Sequence, residues 1–405
     1  MTTPASSHPD VEQRREDRRA IVETVRQFVE NEVVPVAPEL ERQDAYPIEL
    51  IEQMADLGLF GITIGEEWGG AGLDLGTYAE VTVELVRGWI AMSAVLNTHL
   101  MTSFLIESFG TDDQRERYLS RLASGEIRAA FVMSEPHAGT DVQRIRTTAK
   151  VDGDDYVING QKMWVTNGLY SGLVAVLLKT DPTTTPPYKG MSVFLVEKEG
   201  GRSEFPGMTI GPPIQKLGYK GIETVEIAFD DYRISDAQLL GGDAGLGMGF
   251  RYCMAGIEHG RITQTARAVG LMTAALEASV KYADERETFG KKIGEHQAIQ
   301  TKLALMATNL RASRLLMQSA AEAKEEKGRA DMEAGMAKMF STEAAVDATR
   351  MAMQVHGGYG YTKEFPVERL YRDAIALTAG EGSNEIQQQI VARQLMREQA
   401  AAVRS

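Results

Sequence analysis

At 405 residues the chain has room for two or three domains and a large core. Its 43% hydrophobic and 25% charged residues are the balance of an ordinary globular protein. A formal charge of -14 repels polyanions and anionic lipid, which disfavours nucleic-acid and membrane-surface partners.

The single cysteine, Cys253, excludes an internal disulfide, and a reducing compartment fits. The six histidines, His8, His99, His137, His259, His296 and His356, are scattered without zinc-ligand spacing, so no metal is assigned. The N-terminal MTTPASSHPD lacks a basic segment followed by an apolar run, and no run of about 18 apolar residues occurs. Neither export nor membrane insertion is therefore expected, and the cytoplasm is the default.

Three regions follow from periodicity. From Arg14 to about Ile127 apolar residues recur at helical spacing, interrupted by the glycine-rich GEEWGGAGLDL with Trp68, which reads as a tight loop beside a cavity. Between about Arg128 and Ser235 the period falls to two, in runs such as YVINGQKMWVTN, GLVAVLLKT, GMSVFLVEKEG and ETVEIAFDDYRI. These runs are joined by turns with no helices between them, so the sheet is expected to be mainly antiparallel. From GFRYCMAGIEHGR onward the helical period returns, with breaks at Phe289 to Gly294, Gly328, and Gly357 to Pro366. The expected fold is α+β and mainly α: an N-terminal helical domain (1-127), a middle β domain (128-235) and a C-terminal helical bundle (236-405).

GDAGLGMGF, with Gly245, Gly247 and Gly249, superficially suggests a dinucleotide fingerprint. It follows a turn and opens a helical bundle, where the fingerprint needs a strand and a βαβ unit, so it reads as a domain-joining loop. TAGEGSNEIQQQ raises a different question. Ser383 or Asn384 can cap the helix that begins there, but capping leaves Glu381, between Gly380 and Gly382, without a purpose.

FVMSEPHAGTDV, MWVTNG, DERETFGKKIGEHQAIQ, QVHGGYGYTKEFPVERLYRDA and GEGSNEIQ together resemble the acyl-CoA dehydrogenase family, over nearly the whole chain and in that family's domain order. The resemblance implies a flavin adenine dinucleotide (FAD) enzyme that oxidises an acyl-CoA to its trans-2-enoyl-CoA. It implies flavin contacts at Phe131, Met133, Ser134, Gly139 and Thr140 of the first motif. In the second motif it implies contacts at Trp164, Val165 and Thr166, with the indole flat against the isoalloxazine and the Thr166 hydroxyl toward N5. Arg286, Phe289, Gln297, Gln354, Val355, His356, Gly357 and Gly358 carry over as dinucleotide contacts, some of them reaching a neighbouring subunit. Ser383, Asn384 and Glu385 carry over as flavin contacts at a helix start. The implied partners are acyl-CoA, electron-transferring flavoprotein and other copies of the chain in a homotetramer.

Substrate contacts are implied at Thr140, Glu258, His259, Gly260, Arg261 and Gly382. Some family members place the catalytic glutamate where this chain has Gly260, which cannot act as a base. Glu381 matches the other catalytic position, in the YEGT motif of short- and medium-chain members. A desolvated cleft raises a carboxyl pKa toward working pH, as a base for a thioester α-proton requires. The family also directs this glutamate's N-H at the thioester oxygen, where charge develops.

Two departures bear on the substrate. Gly380 replaces a tyrosine, which suggests a wider pocket and a branched, cyclic or bulky acyl group. KLGYKGIET carries Ile222 and Glu223 where the family usually has Arg-Gly-Ser/Ala-Asp, which leaves the CoA-side contacts open. The competing readings are an oxygen-using acyl-CoA oxidase, which usually has an extra C-terminal domain; a nitroalkane-oxidase-like enzyme, which usually has aspartate as base; and a flavin-free scaffold of the same fold.

Overall fold

The computed structural model describes residues 9-402. Most of the N-terminal MTTPASSHPD segment, His8 included, lies outside the described residues. Six helices come first: α1 (Pro9–Phe28), α2 (Val34–Gln43), α3 (Ile48–Asp56), α4 (Leu75–Gly88), α5 (Ile90–Phe109) and α6 (Asp112–Ala123). Their starts follow local chemistry. Asp74 caps α4 by accepting the Thr77 N-H, and Thr111 and Gln114 form a reciprocal capping box on α6. α5 is long and apolar enough to cross a membrane by length and composition, but most of it is buried inside the protein.

The middle region holds β1 (Ala129–Val132), β2 (Thr148–Asp152), β3 (Asp155–Thr166), β4 (Leu173–Lys179), β5 (Met191–Glu197), β6 (Glu204–Phe205), β7 (Met208–Ile210) and β8 (Thr224–Ser235). They form one sheet in the order β1-β4-β2-β3-β8-β7-β6, with β5 on β4. The pairings are antiparallel except β1-β4 and a single-residue contact of β2 with β4.

The unbroken apolar run of β4 has a clear cause, because both faces of this strand are covered. Leu173, Ala175 and Leu177 join the large core shared with the helices, and Val174, Val176 and Leu178 join a second core within the β domain. The sheet is thereby clamped to α5 and to the helix that follows it in sequence.

That helix, α7 (Gly249–Glu285), is the spine of the last domain and packs on α4, α5 and three of the helices that follow it. After it come a small hairpin of β9 (Glu287–Thr288) and β10 (Lys291–Lys292), then α8 (Gln297–Lys327), α9 (Asp331–His356), α10 (Val367–Ala379) and α11 (Asn384–Ala402). Gly328, at φ 69°, ends α8 in the left-handed conformation that glycine adopts without strain. The glycines of GDAGLGMGF lie in a short 3-10 turn, in the turn that follows it and at the start of α7, with no strand directly on either side of them.

Candidate active site

The turn between α10 and α11 is strained. Glu381 has φ 55° and Gly382 φ 82°, two left-handed residues in succession. For a non-glycine residue this costs on the order of 1 kcal/mol, so the surroundings must hold it. Two buried side chains do so. The Gln387 amide donates to the carbonyls of Glu381 (3.3 Å) and Gly382 (3.1 Å). The Lys338 ammonium, fully buried on α9, donates to Thr378 O (3.0 Å), Gly382 O (3.0 Å) and Asn384 Oδ1 (2.8 Å). Burial pushes Lys338 down to about 8 against the pull of Glu381, Glu343 and Glu385.

The Glu381 carboxylate lies between α5 and α7. Its Oε1 accepts from Asn97 Nδ2 at 3.0 Å, and Asn97 Oδ1 accepts from the Thr263 hydroxyl at 2.6 Å. Its Oε2 lies against Gly260, where an added Cβ would stand only 2.5 Å away. Gly260 therefore leaves open the space that the carboxylate occupies, as well as being unable to supply a base.

Asn97 and Thr263 also line a cavity of about 330 Å³, with Leu73, Leu100, Met101 and Phe104 among its apolar walls. That volume is at the small end for ligand pockets. The glycine-rich loop expected beside a cavity borders this one through Leu73, and Leu75 at the start of α4 lines it too.

A second surface is built on β3. The register of β3 against β8 shifts between Lys162 and Val165, and Trp164 at this bulge has φ 65°. The bulge turns its indole out to 54% exposure. Thr166, Ser134, Phe131 and Met133 are half-buried, Thr140 is exposed, and Gly139 has open space where a Cβ would be. Val165 is buried in the β core and offers this surface only its backbone. The 133-135 segment is fixed to β3 from behind, where buried Lys162 donates to Met133 O (3.0 Å) and pairs with buried Glu135 (2.9 Å).

Residues 15-126, 130-232 and 247-396 match, in that order, the N-terminal, middle and C-terminal domains of acyl-CoA dehydrogenase. An acyl-CoA dehydrogenase of Bacillus subtilis (strain 168) is 40% identical over 92% of this chain and 96% of its own. The (2S)-methylsuccinyl-CoA dehydrogenase of Cereibacter sphaeroides is 39% identical over 94% of this chain and 70% of its own. Butyryl-CoA dehydrogenase from Megasphaera elsdenii, a solved structure, matches with TM-score 0.89 and 32% identity over 94% of this chain and 98% of that one. The chain belongs to the acyl-CoA dehydrogenase family.

Acyl-CoA dehydrogenases are FAD-dependent oxidoreductases, and this chain is an enzyme of that kind. The residues fit the cofactor. An exposed indole on a bulge, flanked by small polar residues and an uncrowded glycine, is a platform for a flat aromatic ring. Arg286, Phe289 and Gln297 are exposed around the β9-β10 hairpin, with Phe289 at 96%. Gln354, Gly357 and Gly358 are exposed at the end of α9, and the two glycines have open space around them. Val355 and His356 point inward instead, His356 stacking on Tyr282. Ser383 is the residue before α11 and is half-buried, Glu385 is exposed, and the buried Asn384 side chain bonds Lys338, Thr342 and Glu343.

Of the substrate contacts carried over from the acyl-CoA dehydrogenase pattern, Gly260 and Gly382 adjoin the Glu381 turn. His259 lines the cavity, where burial pushes it down to about 4. Glu258 and Arg261 are engaged internally. Glu258 pairs with Lys324 (2.8 Å) and accepts the Ala330 N-H, and Arg261 reaches Asp331 (3.2 Å). Glu223 is buried and accepts the N-H groups of Leu169 (2.8 Å) and Tyr170 (3.1 Å), and Ile222 is buried in the main core.

The wall expected to be missing at Gly380 is partly rebuilt. A Cβ at Gly380 would stand 2.9 Å from Gln264 Nε2, so the buried Gln264 side chain takes up that space. Asn97, Thr263, Gln264, Lys338 and the Lys162-Glu135 pair escaped sequence reasoning. A lysine on the buried face of α9 and an asparagine inside the apolar run AVLNTHLM were the available signals.

Proposed function

We propose that this enzyme oxidises a compact branched or cyclic acyl-CoA to its trans-2-enoyl-CoA, with Glu381 as the base for the α-proton. The observation that carries this reading is the placement of Glu381. Its carboxylate is held by Asn97 against Gly260, and Asn97 opens onto the cavity on the other side. The α-proton passes to a Glu381 carboxylate oxygen as the β-hydrogen leaves with its electron pair. When bound, FAD supplies the acceptor for that hydride.

The left-handed pair Glu381-Gly382 supports a turn whose N-H groups face a thioester oxygen as charge develops there. Trp164 and Thr166 would hold the flavin ring, and Ser383 and Glu385 its contacts at the start of α11. Arg286, Phe289, Gln297 and Gly357-Gly358 are all exposed, which supports dinucleotide contacts shared with another subunit of a homotetramer. Electron-transferring flavoprotein would reoxidise the flavin.

The absence of a side chain at Gly380 is what supports a branched or cyclic acyl group, and Gln264 together with a cavity of about 330 Å³ keeps that group compact. Anaerobic mixing of the purified flavoprotein with a panel of acyl-CoA thioesters tests the substrate. Bleaching much faster with butyryl- or octanoyl-CoA than with any branched or cyclic thioester would end that part of the proposal. Glu381→Gln should keep its flavin and lose bleaching, and preserved turnover would show that another group is the base. Reoxidation rates with oxygen and with electron-transferring flavoprotein separate an oxidase from a dehydrogenase.

A further inference from the structure

We propose that Asn97, oriented by Thr263, is a positioning residue that holds Glu381 in both of its protonation states, so that one buried pair serves the base before and after it takes the proton. This rests on Glu381 being the base.

Asn97 lies within α5 and is 4% exposed, and Thr263 lies within α7 and is 1% exposed. The Thr263 hydroxyl has two acceptors in reach, Asn97 Oδ1 at 2.6 Å and Gly260 O at 3.0 Å, and one proton to give. With Glu381 ionised, Asn97 Nδ2 donates to Oε1 and the Thr263 proton goes to Asn97 Oδ1.

Once Glu381 carries the substrate's α-proton, its acid O-H needs an acceptor. A half-turn of the Asn97 amide presents Oδ1 to that acid. Nδ2 then donates to the Thr263 oxygen, and the Thr263 proton turns to Gly260 O. Asn97 Oδ1, Asn97 Nδ2 and the Thr263 hydroxyl each keep a partner in both arrangements, and the half-turn gives up the long contact of the second amide N-H with Met101 Sδ (3.5 Å). A leucine at this place could serve neither state.

The charged and titratable groups around Glu381 come from several elements. Tyr78 of α4 and Tyr219, on the loop before β8, both feel its charge, and burial pushes both up, so they stay neutral through neutral pH. Lys338 faces it from α9 and titrates near 8, on the alkaline side. Across the cavity lie His259, held neutral by burial, then Glu107 and Glu325, both pushed up by burial, and Lys324, paired with Glu258. Glu107, Glu325 and His259 are retained in every variant, so the difference in the acid limb of the rate profile between wild type and variant is what reports the Asn97 contact.

The test is the pH dependence of anaerobic flavin bleaching in the holoenzyme. The probe is whichever of butyryl-, octanoyl-, 2-methylbutyryl- and cyclohexanecarboxyl-CoA bleaches the wild type fastest. Asn97→Leu removes a donor to the ionised carboxylate and should move the acid limb up by about one pH unit or more, with flavin content kept. Thr263→Val should move it the same way by less, and Thr263→Ser should leave it in place.

An unmoved limb in flavin-replete Asn97→Leu overturns the proposal. If Asn97→Leu fails to fold, the near-isosteric Thr263→Val decides, and a wild-type limb there overturns it equally. A Glu381→Gln enzyme that still bleaches overturns the assignment of the base itself. A silent Glu381→Gln with an unmoved Asn97→Leu limb overturns only the role of Asn97.

Discussion

Gly260→Ala is the sharpest perturbation of the site, because it adds one methyl group at a known distance from one functional atom. The new Cβ would lie 2.5 Å from Glu381 Oε2 and 2.7 Å from its Cδ, and ordinary contact begins near 3.4 Å. The carboxylate must therefore retreat by about 0.9 Å. It is the far end of a flexible side chain, so it can swing away at little cost to the fold. Gly260 lies inside α7, where alanine is the better helix former by about 1 kcal/mol. The expected variant is at least as stable as the wild type and retains its flavin. A displacement of about 1 Å at a reacting group costs on the order of 100-fold in rate, or about 2.7 kcal/mol of barrier. Stopped-flow absorbance of the flavin band after anaerobic mixing with acyl-CoA reads that rate directly, and the melting temperature controls for folding. Wild-type bleaching by a folded Gly260→Ala enzyme would refute the reasoning, because the carboxylate would then work from somewhere other than the space beside α7.

Other consequences can be checked separately. Trp164→Ala should weaken FAD binding by about tenfold, the worth of an aromatic stack of roughly 1.4 kcal/mol, as read by flavin titration of apoprotein. Trp164→Phe should recover most of that loss, and an unchanged affinity in the alanine variant would remove the platform role. Asp373, buried and accepting the Tyr219 N-H at 2.6 Å, is pushed up to about 6 by burial, with Arg369 and Arg372 opposing. Its folded-state value is raised, so its contribution to stability is fully present below about pH 4 and is lost as pH rises through 6. Asp373→Asn removes that dependence. The melting temperature of the variant should therefore gain on the wild type between pH 4 and 7, by the equivalent of about 3 kcal/mol. A constant difference across that range would contradict it.

The division into helical, β and helical regions could be read from apolar periodicity, because most elements bury one face and the period records it, while β4, covered on both faces, shows as an unbroken apolar run. Glu381 was legible for a different reason. Its flanking glycines mark a turn that capping alone does not require, and Glu381 itself, left-handed at φ 55°, is where the turn stores strain. The partners of the carboxylate left no such trace. Asn97 is 284 positions away, and its meeting with Glu381 exists only once α5, α7 and the last turn pack together. Gly380 shows the same limit in reverse. The lost side chain is visible locally, but the Gln264 side chain that fills its place comes from α7. Glu258 and Arg261 sit in a recognisable motif, and nothing in that motif reveals Lys324 and Asp331 as their partners.

Lys338 ties the Glu381 turn to α9, and Gln387 ties the same turn to α11, so the proposed base keeps this geometry only while α9 and α11 are docked on each other. Chemical competence is therefore a property of how α9 and α11 pack around this turn, and not of the carboxylate alone. In a urea titration, bleaching activity should disappear at lower concentration than bulk helical signal. Coincident loss of the two would mean that these helices undock only when the whole fold melts. The strain at Glu381 thus makes the enzyme's activity a local reporter of how firmly its C-terminal helices are seated.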